Sequence, residues 1–185
     1  MRANRAAFAV LVAIAAAVLT GAAFATPWKL FVSKRYGYSM RYPSSWRAAR
    51  AKTNINVHGG VPTVDSPSLD AFTLRAKDFN VRVAAQPVAA GTTLDDWTGA
   101  EARSIKDGYG CAVDSREELT VGGEDGTLLM YHSCPGWENL YFLFIAVVHG
   151  DRGYQIYWLS PHRVNREQPE RALFLRFVKT FQFRG

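Results

Sequence analysis

The chain has 185 residues, of which 48% are hydrophobic and 21% charged. This composition is typical of an ordinary globular protein, long enough for one domain with its own core. The formal net charge is +6, but the basic residues are scattered rather than gathered in one long run, which argues against a nucleic-acid partner. Weak attraction to anionic lipid or a cell-wall polymer stays open, but an ordinary solvated basic surface explains the charge better. We expect membrane contact to be peripheral at most.

The N-terminus has the features of a secretory signal. Arg2 and Arg5 precede an uncharged, alanine-rich stretch that ends in the motif AFA. A basic start, an apolar middle and a small-x-small ending are typical of a peptide removed during export. We therefore predict a cleaved signal at residues 1–25, one domain at 26–185, and a periplasmic or secreted bacterial protein. The apolar stretch is also long enough to span a bilayer, so an uncleaved anchor remains the alternative.

Two strands are predicted at the start of the mature chain. Segment 28–33, WKLFVS, is short and rich in β-favouring residues. Segment 36–42 alternates in the manner of a half-buried strand, with every second residue apolar or aromatic. Pro43 cannot donate to a strand ladder, so the strand should end there. Trp46 then begins the next segment as an aromatic anchor.

An irregular connection and two further strands follow. Residues 53–69 are rich in Asn, Gly, Pro and Ser, which indicates a long loop. Segments 70–76 and 80–85 are then predicted to be strands joined by a short turn.

The first helix is predicted over residues 93–107. Thr93 can cap it, and Asp95 and Asp96 place negative charge in its first turn, where the helix dipole favours it. Gly108 and Gly110 are expected to end it.

Four strands are predicted in quick succession, with short, turn-rich connections that make them antiparallel neighbours. The third of them contains LYFLFIAVV, which is apolar at every position. A continuous apolar run indicates a central strand that is covered on both faces. The four segments are 111–121, 126–134, 138–149 and 153–160.

A last helix is predicted within residues 166–183. Pro169 suits a first helical turn. Apolar residues then recur at helical spacing, and the basic residues face away from them, so this stripe should pack on the sheet. The apolar positions are Leu173, Phe174, Phe177, Val178 and Phe181.

Cys111 and Cys134 are the only cysteines of the chain. An even count in an exported protein indicates a disulfide. If strands 111–121 and 126–134 pair across a turn near Gly122, opposed residue numbers sum to 245, which is also the sum of 111 and 134. The two cysteines are therefore predicted to face each other and form a bridge.

The order of these elements, together with three segments, resembles the PsbP-like proteins. The segments are YGYSMRYPSSW near the start, ELTVGGEDGTLLMYHS in the middle and VKTFQF at the end. This broad family includes an extrinsic subunit of photosystem II and many exported bacterial proteins such as the DcrB-like group. The resemblance implies an α+β fold, an antiparallel β-sheet with helices packed on it as an α-β-α sandwich. It also implies an accessory or binding role without catalysis.

No motif in the sequence points to an enzyme. The four histidines lack metal-ligand spacing, and the common hydrolase, zinc-protease and phosphate-loop signatures do not occur. We expect no catalytic residue, cofactor or metal. The leading hypothesis is an exported binding protein whose partner is an envelope protein, a lipid or a small molecule.

The alternative is a carrier of a small molecule or lipid in an aromatic pocket. Aromatic residues are frequent, at 13% of the chain, and an ordinary sheet core with its rim explains them better than a pocket does. The candidate pocket residues are Tyr38, Trp46, Trp97 and Trp158.

Overall fold

The computed structural model describes most of the chain after the N-terminal segment. The predicted signal lies outside the described residues, as does the greater part of the 53–69 connection. No helix in the described part is both long and apolar enough to cross a membrane. The described residues are 27–55, 66–74, 79–131, 134–135, 141–160 and 169–184.

Ten strands and two helices make up the described structure. In chain order they are β1 (Trp28–Ser33), β2 (Tyr38–Pro43), β3 (Arg47–Ala49), β4 (Asp70–Leu74), β5 (Phe79–Pro87), α1 (Leu94–Tyr109), β6 (Val113–Val121), β7 (Glu124–Tyr131), β8 (Tyr141–His149), β9 (Arg152–Ser160), α2 (Pro169–Val178) and β10 (Gln182–Phe183).

The strands form two antiparallel sheets. The large sheet has seven strands in the order β3-β4-β5-β9-β8-β7-β6, and the small sheet has three in the order β1-β2-β10. Strands β6 to β9 are joined as successive hairpins, as their short connections predict. The predicted α+β fold, an antiparallel sheet with helices packed on it, is confirmed.

Each face of the large sheet carries one helix. On β9, Gly153 and Gln155 meet α1: a Cβ on Gly153 would lie 2.5 Å from the ring of Trp97, and Gln155 is hydrogen-bonded to Glu101. Trp158, which points the other way, contacts Phe174 of α2, with 5.5 Å between ring centroids. Successive side chains of a strand alternate between faces, so α1 and α2 lie on opposite sides.

The small sheet packs on the same face as α2, and aromatic rings fill the space between them. Phe177 lies 5.0 Å from Trp46 and 5.3 Å from Trp28 between ring centroids. Phe31 of β1 contacts Phe72 of the large sheet edge to face at 4.9 Å. Rings in such tilted and edge-to-face arrangements hold the two sheets together.

β8 is the central, fully covered strand that its composition predicts. It lies between β7 and β9, and residues 142–147 are all buried. A strand with helices or strands over both faces has no polar side, which explains the unbroken apolar run.

The hairpin of β6 and β7 has the predicted register. Val121 opposes Glu124 and Glu117 opposes Leu128, both with sums of 245, until a bulge between Val113 and Ser115 shifts the pairing by one residue. Beyond the bulge, Cys111 and Cys134 form the predicted disulfide, with 4.5 Å between their Cα atoms.

Helix α1 has the predicted start but a later end. The Thr93 side chain accepts from the Asp96 N–H, and the Asp96 carboxylate accepts from the Thr93 N–H, so the two form a capping box. The helix continues through Gly108 and ends at Gly110, which has a φ of 69°. The prediction that the helix ends at Gly108 is wrong. Glycine weakens a helix but ends it only where the chain adopts the left-handed conformation, as it does at Gly110.

The last helix is shorter than predicted. It ends at Val178, and the chain turns back so that Gln182 and Phe183 pair with β2. Phe181 is nevertheless buried and stacks on Tyr38, with 4.7 Å between ring centroids. The helical spacing of Phe181 led to the prediction that it belongs to the helix. A turn followed by β10 buries the same side chain and also provides backbone partners for β2.

Candidate functional site

The structure does not bring the four candidate aromatic residues into one open groove. The side of the large sheet that faces the small sheet and α2 contains three of them, Tyr38, Trp46 and Trp158. Trp97 belongs to α1 and packs against the opposite side of the large sheet. Each of the four is at most 5% exposed. They fill the core between the layers, as the sheet-core interpretation of the aromatic residues anticipates.

A cleft of about 530 Å³ opens instead where the small sheet meets the edge of the large sheet. It lies between the β1–β2 turn and the chain that leaves β3. Its walls are polar and cationic rather than aromatic, formed by Ser33, Lys34, Arg35, Arg50, Ala51, Asn54 and Asp70.

Arg35 holds one wall of the cleft in place. Its guanidinium donates to the carbonyls of Ala51 at 3.3 Å and Lys52 at 2.9 Å, and to Asn54 Oδ1 at 2.6 Å. The carbonyl of Arg35 accepts from Arg152 Nη1 at 3.1 Å, which ties the turn to β9. Because its nitrogens are already engaged, Arg35 shapes the cleft and contributes its charge.

Asp70 closes the inner end of the cleft and is only 1% exposed. Its carboxylate accepts from the Tyr38 hydroxyl at 2.9 Å and from the Ala51 N–H at 2.7 Å. A buried carboxylate needs such donors, since water cannot reach it. Burial, followed by the charge of Asp70, raises the pKa of Tyr38 well above its usual range, so this hydroxyl remains a donor.

Tyr36 secures the turn from the inside, although the sequence placed it in a strand. It is 2% exposed, and its hydroxyl donates to the carbonyl of Ser68. Burial and the nearby Asp70 raise the pKa of Tyr36 to about 12. The turn between β1 and β2 is therefore anchored to the segment that precedes β4, and the cleft has a preformed shape.

Lys34 and Arg50 are the cations that the cleft presents to a ligand. Both are exposed, and within the described part of the chain neither forms an ion pair. The Arg50 guanidinium lies over the ring of Phe31, 4.9 Å from its centroid, which positions the group while leaving its N–H edges free. Such a guanidinium suits carboxylate or phosphate oxygens.

The exposed charges that line this cleft are all positive, since the one carboxylate of its lining, Asp70, is buried at the inner end. Residues 27–55 contain seven lysines and arginines and no acid, and the first acid of the whole chain is Asp65. Residues 169–184, which include α2, add four basic residues and one acid, and Arg176 of α2 lies over Trp28 of β1 at 5.1 Å. We call the surface of residues 27–55 together with α2 the basic face.

The rest of the domain has the opposite balance. Residues 79–131 contain nine acids and four basic residues. Runs of basic residues do not reveal this separation, because its signal in the sequence is a long segment without acids. The fold divides that segment between the small sheet and the edge strand β3 of the large sheet, on either side of the cleft.

The opposite face of the sheet contains a buried polar chain below α1. Glu101 Oε1 accepts from Gln155 Nε2 at 2.7 Å, and Gln155 Oε1 accepts from the Tyr157 hydroxyl. Burial raises the pKa of Glu101 to about 7, against the opposing effect of the Gln155 hydrogen bond. The three side chains are at most 6% exposed, so this chain belongs to the packing of α1 and offers no access to a ligand.

Comparison with known proteins identifies the fold of the chain but no activity. No protein-family model and no curated protein matches the sequence. The solution structure of cyanobacterial PsbP from Synechocystis sp. PCC 6803 is similar, with a TM-score of 0.58 at 17% identity over 88% of this chain and 96% of that one. The chain has the PsbP-like fold. The resemblance drawn from the three sequence segments is confirmed at the level of fold.

Two other solved structures are less similar to this chain. A crystal structure from Bacteroides thetaiotaomicron has a TM-score of 0.42 at 17% identity, and covers 85% of this chain but 48% of its own. A protein of unknown function from Pseudomonas aeruginosa has a TM-score of 0.39 at 9% identity over 72% of this chain and 82% of that one. Neither similarity is close enough to carry a conclusion.

Proposed function

We propose that this PsbP-like protein is an exported accessory or binding protein, without catalysis, that recognises an anionic partner in the cell envelope through its basic face. The observation that carries the proposal is the acid-free segment 27–55, folded around a preformed cleft where Lys34 and Arg50 are without ion pairs among the described residues. Surfaces of one sign attract partners of the other sign and hold them in register.

Export is supported by two features of the chain. The first is the signal-like N-terminus, residues 1–25. The second is the Cys111–Cys134 disulfide, a bond that persists in oxidising compartments outside the cytosol.

Neutralising the two free cations of the cleft tests the proposal. The double variant Lys34→Gln, Arg50→Gln should bind poly-L-glutamate about tenfold more weakly, since each exposed charge contributes about 0.2–1 kcal/mol to such contacts. Arg103→Gln with Lys106→Gln removes the same charge from α1, on the other side of the large sheet, and should change little. Binding is measured by fluorescence anisotropy at low and at high salt, and salt should weaken it.

Two results would contradict the proposal. One is equal binding by both double variants, which would mean that net charge rather than the basic face attracts the probe. The other is turnover of an envelope substrate by the purified mature protein, abolished by a single substitution. Native mass spectrometry of protein purified from its own envelope adds a direct check, because a retained small molecule would favour the carrier hypothesis.

A further inference from the structure

β1 is an edge strand with unused backbone hydrogen-bonding groups. It is the outermost strand of the small sheet, and within the described residues it pairs with β2 alone. The Ser44 N–H donates to the Pro27 carbonyl, and hydrogen-bonded pairs alternate along an antiparallel ladder. Counting on from Pro27, the backbone groups of the odd-numbered residues of β1 face β2. Those of Trp28, Leu30 and Val32 therefore point away from it.

The orientation of β2 supports this assignment independently. Its Arg41 N–H donates to Thr180 Oγ1, on the side away from β1. The even-numbered residues of β2 must then face β1, and their partners by register are the odd-numbered residues 29, 31 and 33. The outer edge of β1 thus presents three N–H groups and three carbonyls at regular spacing, which is a template for another strand.

The side chains along this edge are apolar in the middle and cationic at the sides. Leu30 is 55% exposed, more than any other large apolar residue in the described part of the chain. The Arg50 guanidinium lies over Phe31 and the Arg176 guanidinium lies over Trp28. Phe31 and Trp28 are three residues apart on a strand, so there is one arginine on each face of the edge.

The charge determines which kind of strand fits. A second copy of β1 would bring Lys29 and the flanking arginines of two molecules together, and like charges opposed across strands are destabilising. A strand with acidic side chains has the complementary charge. A lipid or polymer could meet the cations, but it has no row of alternating donors and acceptors to pair with the edge.

We propose that the β1 edge binds an extended, acidic segment of a partner protein, which adds to the small sheet as a fourth strand. This proposal rests on the proposed function and names the class of its partner. The backbone of the segment pairs with Trp28, Leu30 and Val32, an apolar side chain covers Leu30 on one face, and carboxylates on the other face meet Arg50 beside Phe31. Addition of a strand to an open sheet edge is a common mode of peptide recognition.

Proline at position 30 tests the edge itself. Leu30→Pro removes one outward N–H while sparing the bonds to β2, a position where edge strands tolerate proline. Leu30→Ala removes the same apolar side chain but keeps the N–H, so it is the matched control. The probe is a labelled ten-residue peptide in which Val alternates with Glu. Its controls are the same peptide with Lys for Glu, and an acidic peptide of equal charge interrupted by prolines.

The alternating acidic peptide should bind the unmodified chain, and both control peptides should bind at least about tenfold more weakly. Leu30→Pro should weaken its binding about tenfold beyond Leu30→Ala, because a backbone hydrogen bond is lost. Binding of polyacrylate, a polyanion with carboxylates but no peptide backbone, should be the same in both variants. Circular dichroism and melting temperature establish that each variant is folded.

Other outcomes separate this proposal from the proposed function. If both Leu30 variants bind the alternating peptide equally while Lys34→Gln, Arg50→Gln weakens it, the edge proposal is overturned and the basic face stands. Charge-dependent binding to phosphatidylglycerol vesicles without peptide binding likewise overturns the edge proposal and favours a lipid. If no anionic probe binds, both proposals fail. Dimerisation of the chain through β1 would overturn the edge proposal alone.

Should Leu30→Pro not fold, hydrogen exchange on the unmodified protein decides the question. The amides of Leu30 and Val32 should exchange more slowly when the alternating acidic peptide is added, because each gains a backbone acceptor. Unchanged exchange at both amides under saturating peptide would overturn the proposal.

Discussion

At the scale of single residues, burial changes the chemistry of ordinary side chains. Glu101 lies on the apolar side of α1 and is only 6% exposed. Its surroundings disfavour the charged form, and the hydrogen bond from Gln155 offsets this only in part, so the pKa of Glu101 rises from 4.5 to about 7. One carboxyl group thereby links the stability of the domain to pH.

We expect Glu101→Gln to remove this link. In the unfolded chain the carboxyl ionises near pH 4.5, but in the folded chain it holds its proton to about pH 7. Between these values the folded state binds more protons, so the contribution of Glu101 to stability falls as pH rises, by roughly 3 kcal/mol in all. Glutamine keeps the acceptor for Gln155 and carries no charge, so the variant should be the more stable form at pH 8.

Urea denaturation at pH 4.5 and pH 8 measures the effect. The control is Glu118→Gln, which removes a carboxyl group from an exposed position on β6. An identical loss of stability with rising pH in Glu101→Gln and in the unmodified protein would show that Glu101 is not the group responsible.

At the scale of elements, α1 is positioned by one close approach to the sheet. The indole of Trp97 donates to the carbonyl of Tyr154 at 3.2 Å and lies against Gly153, where a side chain would collide with it. Glycine at this position is therefore required by packing, since its φ is not in the left-handed region. The sequence identified Trp97 as part of the helix but could not show what it contacts.

Gly153→Ala should destabilise the domain by about 1–3 kcal/mol, the usual cost of overpacking a core. The added Cβ would lie 2.5 Å from the Trp97 ring, so α1 has to shift. Gly108→Ala is the matched control, because a Cβ there meets nothing within 4 Å, and within a helix alanine is favoured over glycine. Denaturant midpoints should move in opposite directions for the two variants, and a shift in the same direction would contradict the packing argument.

At the scale of the whole molecule, covalent and electrostatic features act together. The disulfide joins the chain after α1 to the chain after β7, across a sequence separation of 23 residues. The basic face lies at the small sheet, while the acid-rich segment 79–131 forms α1 and its neighbouring strands. The two parts therefore carry opposite net charge, and the ion pair between Arg171 of α2 and Glu117 of β6 lies where they meet.

Replacing both cysteines, Cys111→Ser with Cys134→Ser, should cost roughly 3 kcal/mol of unfolding free energy on the loop-entropy account. The bond restricts the unfolded chain, so the effect belongs to the molecule as a whole. Melting temperatures with and without reductant provide the measurement. The unmodified protein should lose stability on reduction, and the serine variant should not respond; a response in the variant would point to another cause.

The sequence alone determined the features that depend on neighbouring residues. The β-favouring composition of residues 28–33 predicted β1, and alternation predicted β2. Thr93 as a cap predicted the start of α1, and short turns predicted the antiparallel run from β6 to β9. The Cys111–Cys134 pair followed as well, because a tight hairpin sets its register locally.

Only the tertiary structure decided what depends on contacts between distant segments. The pairing of β10 with β2 joins parts of the chain about 140 residues apart, and the local helical spacing of Phe181 concealed it. The aromatic residues acquired their partners only when the layers packed together. The cleft exists because Arg35, Asp70 and Tyr36 tie three separate segments together. Hydrophobic periodicity records which residues are buried, but it does not record which residues meet or where charges gather.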